Sequence, residues 1–333
     1  MSNKVGGTSW PRVVGYSNAN IDIIIKVERL PGRDEKLKGS LLGKQPGGTM
    51  ANYACAVSKL GIPAAWTGTL GNDQEAKLIL ENFQRHGVDT STIRTVCDLP
   101  TMFAIILLDD SGERSIVVVP TIDEPVELTE EQLQLISRAD VLYTGPYKGI
   151  PFYRVTEWAR KNSTLVAIDV ELTAELQKEE LIGVLRHTDV AIFNQAVLQE
   201  IYGLDFRADN WRTYAELLYE FLRTGGLKLT GVTLGHAGSI LVDAEEAWYV
   251  PGFTVPVIDS TGAGDCFNAA LTVGFLRQWP LQRIGLYANA AGALAVQKMG
   301  SSGAMSTDAQ VEAFLREHRE EVVVKHFRFG KNH

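Results

Sequence analysis

Asp259-Ser260-Thr261-Gly262-Ala263-Gly264-Asp265, running directly into CFNAALTVGFL at 266–276, is the stretch that orders the rest of the chain. Phe267, Leu271 and Phe275 recur at helical spacing, so a helix is expected to open just after the glycines. Two glycines and Ala263 let consecutive backbone N–H groups crowd together. At the positive end of a helix dipole, such groups form a socket for an anion. Asp265 stands at the mouth of that socket, where a general base would have to stand. The combination suits phosphoryl transfer to a hydroxyl. A plain glycine-rich loop with an acid in the first helical turn accounts for the same letters.

The bulk properties narrow the setting. At 333 residues, with 45% hydrophobic and 22% charged residues, the chain has the makeup of a soluble globular protein. Apolar runs such as Met102 to Leu108 are too short to span a bilayer, and MSNKVGGTSWPR has no secretory apolar core. A net charge of −8 argues against a general nucleic-acid binder. Cys55, Cys97 and Cys266 form no CxxC pair, and the six histidines have no ligand spacing. A cytoplasmic location is the expectation.

Along the chain, strands are expected at Arg12–Tyr16, Ile21–Val27, Glu35–Gly43 and Trp66–Leu70, with helices from about Met50 to Leu60 and Gln74 to His86. Met102–Leu108 and Ser115–Val119 flank Asp109-Asp110-Ser111-Gly112, a hairpin signal. Strands near Val141–Tyr143, Leu165–Asp169, Val190–Phe193 and Gly231–Leu234 then alternate with helical stretches, the rhythm of a parallel sheet covered on both faces. Ser239–Val242 and Ala247–Val250 read as an antiparallel hairpin. The last third is helical, at about 263–277, 281–298 and 308–320, before a final edge element. The fold class expected is α/β, with one domain over 1–333 and a small β lid from about 17–46 and 97–121.

Pro46-Gly47-Gly48-Thr49-Met50-Ala51-Asn52 is a second glycine pair at a helix start. Its glycines permit close backbone approach, and Asn52 offers both donors and acceptors, which suits sugar hydroxyls. A tight turn with Asn52 at a helix terminus is the other reading. Together, GGTMAN followed by AxxxxxLG and DSTGAGDCFNAAL resemble the two signature regions of the ribokinase-like (PfkB) carbohydrate kinases. The resemblance runs from about 12 to 320. It includes GYSNANIDIII, TGTLGNDQ, GERSIVVVP, TLGHAGSILV and NAAGALAV.

What the resemblance implies is specific. Asp265 would be the general base, and the N–H groups of Gly262, Ala263 and Gly264 the anion hole. Asn20, Asp22, Gly47, Gly48 and Asn52 would bind the acceptor sugar. Asn194, Thr233, Gly235, Gly238 and Asn289 would meet ATP, with Mg²⁺ beside Asn194. Asp259 would contribute to a monovalent-cation site for K⁺. The lid would close over the sugar and pair two subunits as a homodimer. One departure stands out: Val197 lies where many members carry a glutamate that organises Mg²⁺, and Glu200 is one helical turn further on. Ala76 replaces a frequent glycine.

For the acceptor, Thr49 stands where some members have lysine, which points to an uncharged sugar such as ribose or fructose. Lys36, Lys38, Lys44 and Lys148 are the cations that could change this. A nucleoside, stacked on Tyr16, Phe103 or Tyr147, remains an alternative. So does a sugar acid or sulfonated sugar, with Arg33 and Arg114 as candidate partners. A catalytically impaired sugar or nucleotide sensor is the non-enzymatic alternative.

Overall fold

The computed structural model describes residues 10–17, 19–97, 99–110, 114–121, 126–147, 149–171, 178–318 and 320–330. The first strand, β1 (Val13–Tyr16), is buried throughout, as expected of a strand covered on both faces. Val13 packs into one apolar cluster and Val14 into another, because successive side chains point to opposite sides of the sheet.

The chain next leaves the main sheet. β2 (Asn20–Val27) and β3 (Gly39–Gly47) form an antiparallel pair. Helix α1 (Thr49–Lys59) follows one residue after β3, through Gly48 at φ 100°. β4 (Ala64–Thr67) returns to the main sheet beside β1. β5 (Thr69–Gly71), α2 (Gln74–His86) and β6 (Arg94–Val96) come next. β7 (Phe103–Leu108) and β8 (Arg114–Val119) then pair antiparallel, completing a four-stranded small sheet in the order β3-β2-β7-β8. The reversal between β7 and β8, at 111–113, lies outside the described residues.

The regular α/β half begins with α3 (Glu130–Arg138), β9 (Val141–Tyr143), α4 (Phe152–Lys161) and β10 (Leu165–Val170). It continues with α5 (Lys178–Leu185), β11 (Val190–Asn194), α6 (Gln195–Tyr202), α7 (Trp211–Gly225) and β12 (Leu229–Thr233). The hairpin β13 (Ser239–Val242) and β14 (Glu246–Val250) precedes α8 (Ala263–Leu276) and α9 (Leu281–Ala295). The short α10 (Ser301–Ala304), then α11 (Asp308–Glu317) and the edge strand β15 (Lys325–Arg328), end the fold.

The main sheet has nine strands in the order β15-β14-β13-β12-β11-β10-β9-β1-β4. Neighbours from β4 to β12 run parallel, and β13, β14 and β15 are antiparallel. Helices α1, α2, α8, α9 and α11 fill one face; α3 to α7 fill the other. From β1 the chain goes first to β4 on one side and later to β9 on the other. That reversal makes a switch point, and ligands of open α/β sheets bind beyond the carboxyl ends of strands at such points. Among the described residues no helix is long and apolar enough to cross a membrane.

Two expected strands differ from those observed. The strand expected at Glu35–Gly43 lies at Gly39–Gly47 instead. Glu35 is held back in the turn, its carboxylate accepting from Arg29 and from the Gly32 N–H (2.9 Å). The single strand expected at Trp66–Leu70 breaks at Gly68, where a Cβ would stand 2.1 Å from the Ser17 carbonyl oxygen. The chain turns there, and β5 pairs with β6 in a separate two-stranded sheet.

Candidate active site

Two helix N-termini meet above the switch point. α1 begins after Gly47-Gly48 and α8 after Gly262, which sits at φ 78° with Ser301 packed against it. Asn52 in the first turn of α1 donates to Asp265 Oδ2 in the first turn of α8, at 2.9 Å. Behind this pair the helices are locked together. Tyr53 donates to Thr272 Oγ1 (2.8 Å), and its ring stacks on Tyr143 at 3.6 Å between centroids. Asn268, one turn after Asp265, donates to the Tyr143 hydroxyl at 2.9 Å.

Burial pushes the Asp265 carboxyl up to about 7; Glu171 and Asp22 add to the rise, and the Asn52 hydrogen bond opposes it. A carboxyl poised there exchanges a proton readily near neutral pH. It stands beside first-turn N–H groups that have no intrahelical partner. Of the three donors expected, the Ala263 N–H already bonds the Ser260 carbonyl at 3.3 Å. Gly264 faces open space.

The expected acceptor residues converge on the same place. Asn20 donates to Asp22 Oδ1 at 2.6 Å, and Asp22 crosses to Gly47, where a Cβ would fall 2.4 Å from Oδ2. Only glycine leaves room for that carboxylate. Burial raises the Asp22 carboxyl, while the bond from Asn20 and the charge of Arg114 lower it. Asp73, within TGTLGNDQ, caps α2 through Ala76 N–H (2.8 Å) and accepts from the N–H (2.6 Å) and hydroxyl (2.7 Å) of Thr101. That motif ties α2 to the segment leading into β7.

Asn194 and Thr233 lie side by side at the ends of β11 and β12. Gly235 and Gly238 turn the chain at φ 58° and 97°; a Cβ on Gly238 would strike the Val250 carbonyl oxygen at 2.1 Å. Both asparagines expected here are committed to the protein itself. Asn289 donates to the carbonyls of Val250 (2.8 Å) and Pro251 (3.2 Å), so its amide nitrogen supports the end of β14. Asn194 Oδ1 caps α6 by accepting from Val197 N–H at 3.0 Å. Val197 is 3% exposed within the apolar core and Glu200 is exposed, so neither supplies a carboxylate beside Asn194.

Asp259 is likewise engaged. Oδ1 accepts from the N–H (2.9 Å) and hydroxyl (2.7 Å) of Thr261, and Oδ2 from Gly300 N–H (2.8 Å). Burial alone would raise its carboxyl; these bonds and the charge of Arg114 hold it below the usual value. Among the described residues no group of three or more His, Cys, Asp or Glu side chains could hold a metal ion. Mg²⁺ that accompanies a nucleotide needs no such cage, since phosphates and water supply most of its ligands.

Sequence reasoning treated Arg114 only as a candidate partner for an anionic acceptor and passed over Asp169, Glu171 and Asn268. Arg114 donates to Thr261 Oγ1 at 2.9 Å, from the small sheet to the glycine-rich loop. Asp169 and Glu171 close β10 at its carboxyl end; burial and their mutual charge push Asp169 well above the carboxylate range, and burial raises Glu171. The available signal was two acids ending the otherwise apolar run LVAIDVE. Lys44 pairs with Glu75 at 2.7 Å, and Lys148 lies outside the described residues.

A buried carboxyl beside a glycine-opened helix N-terminus, on this α/β frame, is an arrangement suited to phosphoryl transfer to an alcohol group. A family model described as pfkB family carbohydrate kinase matches residues 11–308, and the chain belongs to that family. It is 27% identical to the ATP-dependent ribose-1-phosphate kinase of Halopiger xanaduensis, over 92% of this chain and 98% of that protein. It is 28% identical to fructokinase-1 of Zea mays, over 80% of this chain and 87% of that protein. The structure of Arabidopsis thaliana ribokinase complexed with ribose and ATP matches with a TM-score of 0.80 at 26% identity. That match covers 92% of this chain and 99% of that one.

Proposed function

We propose that this kinase transfers the γ-phosphoryl group of ATP to a hydroxyl of a small uncharged sugar, with Asp265 as the base. The observation that carries this reading is the Asn52–Asp265 pair at the junction of two glycine-opened helices, its carboxyl at about 7. The acceptor oxygen attacks the γ-phosphorus as the bond to the departing ADP oxygen breaks, and its proton passes to Asp265. Charge on the transferring group faces the N–H groups of Gly262 and Gly264. Asn20, Asp22 and Asn52 orient the sugar. The turn at Gly235–Gly238, with Thr233 and Asn194, receives the nucleotide, and Asn289 shapes it through Val250 and Pro251. Mg²⁺, when bound, neutralises phosphate charge.

The small sheet acts as a lid that excludes water. Its outer strands support pairing with a second copy. Ile116, Val117 and Val118 are all exposed although neighbouring positions face opposite sides of a strand, and Leu41 and Leu42 repeat this on β3.

ATP turnover across ribose, fructose, nucleosides and sugar acids, with Mg²⁺ and with or without K⁺, tests the reading. Sugar-dependent ADP formation lost in Asp265→Asn is expected. Binding of sugar and ATP with no turnover in the wild type would instead favour a sensor.

A further inference from the structure

Tyr53 follows Asn52 on α1 and is fully buried, its ring and its hydroxyl both taken up by the protein. Thr272 Oγ1 has one proton, which it donates to the Asn268 carbonyl, one turn back on α8, at 2.9 Å. Toward Tyr53 it can therefore only accept, at 2.8 Å, so that bond has a single direction. Asn268 is held from a second side, since its amide nitrogen donates to the Tyr143 hydroxyl at 2.9 Å. Tyr143 in turn stacks on the Tyr53 ring at 3.6 Å and 7°. The four side chains, all buried, close a ring from α1 to α8, across to β9 and back. This ring lies one to two turns below Asp265 on the same helix. Among the described residues, the side-chain hydrogen bonds that join α1 directly to α8 are Tyr53–Thr272 and Asn52–Asp265. In an interior packed to crystal-like density, a displacement at one is passed on to the other.

We infer that Tyr53 is a positioning residue for phosphoryl transfer, fixing α1 against α8 so that the Asn52 amide stays on the Asp265 carboxylate. This rests on the reading of Asp265 as the base. A slip of α1 by about 0.7 Å along the Asn52 bond takes it out of hydrogen-bonding reach. The groups that face Asp265 are Asp22 from β2, Tyr143 from β9, Tyr147 beyond it, Asp169 and Glu171 at the end of β10, and Cys266 beside it. Lys298, beyond α9, acts on Cys266. Asp22 and Glu171 oppose ionisation of Asp265, as burial does, and the Asn52 bond is the influence that favours it. Tyr53 thus governs how readily the base ionises without touching it.

The test combines the pH profile of kcat/KM with a carboxyl-carbon NMR titration of the full chain labelled at aspartate. The Asp265 signal is assigned by its loss in Asp265→Asn. Tyr53→Phe keeps the stack and removes the hydroxyl. Thr272→Val keeps the volume and removes the hydroxyl, whereas Thr272→Ser keeps the hydroxyl and removes a methyl group. In Tyr53→Phe and Thr272→Val the Asp265 carboxyl is expected to ionise at higher pH than in wild type. Their kcat/KM should fall roughly three- to tenfold below about pH 7 and recover above it. Thr272→Ser should keep the wild-type profile despite its lost core methyl; a merely structural role predicts the reverse order. A titration and profile unchanged in Tyr53→Phe would overturn the inference. So would an equal loss in all three variants at every pH. A displaced titration, with turnover surviving Asp265→Asn, would reject Asp265 as the base and uphold the hold of Tyr53 on the Asn52–Asp265 pair.

Discussion

Arg114 on β8 donates to the Thr261 hydroxyl at 2.9 Å, so the outermost strand of the small sheet touches the glycine-rich loop of the core directly. Thr261 is in turn fixed by Asp259, and Asp259 by Gly300. The contact therefore links the position of the small sheet to the shape of the proposed anion hole.

Arg114→Ala is expected to lower kcat/KM on the order of ten- to a hundredfold, with much of the loss in the ATP term. Arg114 is exposed, so melting temperature should move by no more than about a degree. Arg114→Lys should recover only part of the rate, because an ammonium lacks the planar fork. Steady-state kinetics with ATP varied at saturating sugar checks this.

Asp265 ties activity and stability to pH in opposite senses. As the proposed base, its carboxyl must ionise to take a proton, so kcat/KM should rise with pH through about 7 and then level. In the unfolded chain it ionises near 4, so between about 4 and 7 the folded state holds the extra proton and loses stability as pH rises. Asp265→Asn should abolish turnover by about a thousandfold or more. At pH 8 it should also be more stable than wild type by roughly 1–3 kcal/mol, the gain vanishing near pH 4. Thermal melts of both proteins from pH 4 to 8 read the difference.

Gly47→Ala places a methyl group on the Asp22 carboxylate. Asp22 must swing out of its bond with Asn20, so the acceptor KM should rise about tenfold or more while the ATP KM moves little. Equal change in both would mean that the whole α1 terminus had shifted.

A charge on β8 tests association through the small sheet. Val117 is 54% exposed, on an edge strand bare on both faces. Wild type is expected to sediment as a dimer and Val117→Lys as a monomer with reduced activity. A fully active wild-type monomer would remove the proposed pairing.

Much of this fold was legible because its cues are local. Alternating apolar runs and helix stops located most elements within a residue or two, and α2 at its observed bounds, because Asp73 and Gly87 cap it. The two glycine motifs were legible for the same reason, each combining its signal within about seven residues. Arg114 and Thr261 were not, since they meet across 147 positions of chain. Asp169 and Glu171 acquire meaning only once β10 lies beside β9 and beneath α8, which depends on strand order. Asn289 and Asn194 were matched by resemblance alone, and only geometry reveals that their side chains bond their own backbone surroundings.

The small sheet is held at its centre by a parallel pairing of β2 with β7, whose first partners, Ile21 and Phe103, are roughly eighty residues apart. Closing so long a loop is unfavourable until the intervening chain has ordered. Between those strands lie α1, β4 and α2, all anchored in the core. Refolding should therefore proceed core first: amides of β11 and β12 are expected to gain protection from hydrogen exchange before those of β2 and β7. A chain caught midway would hold the proposed nucleotide side formed and the proposed acceptor side unformed, and unpaired apolar strand edges would leave that species the one most prone to aggregate.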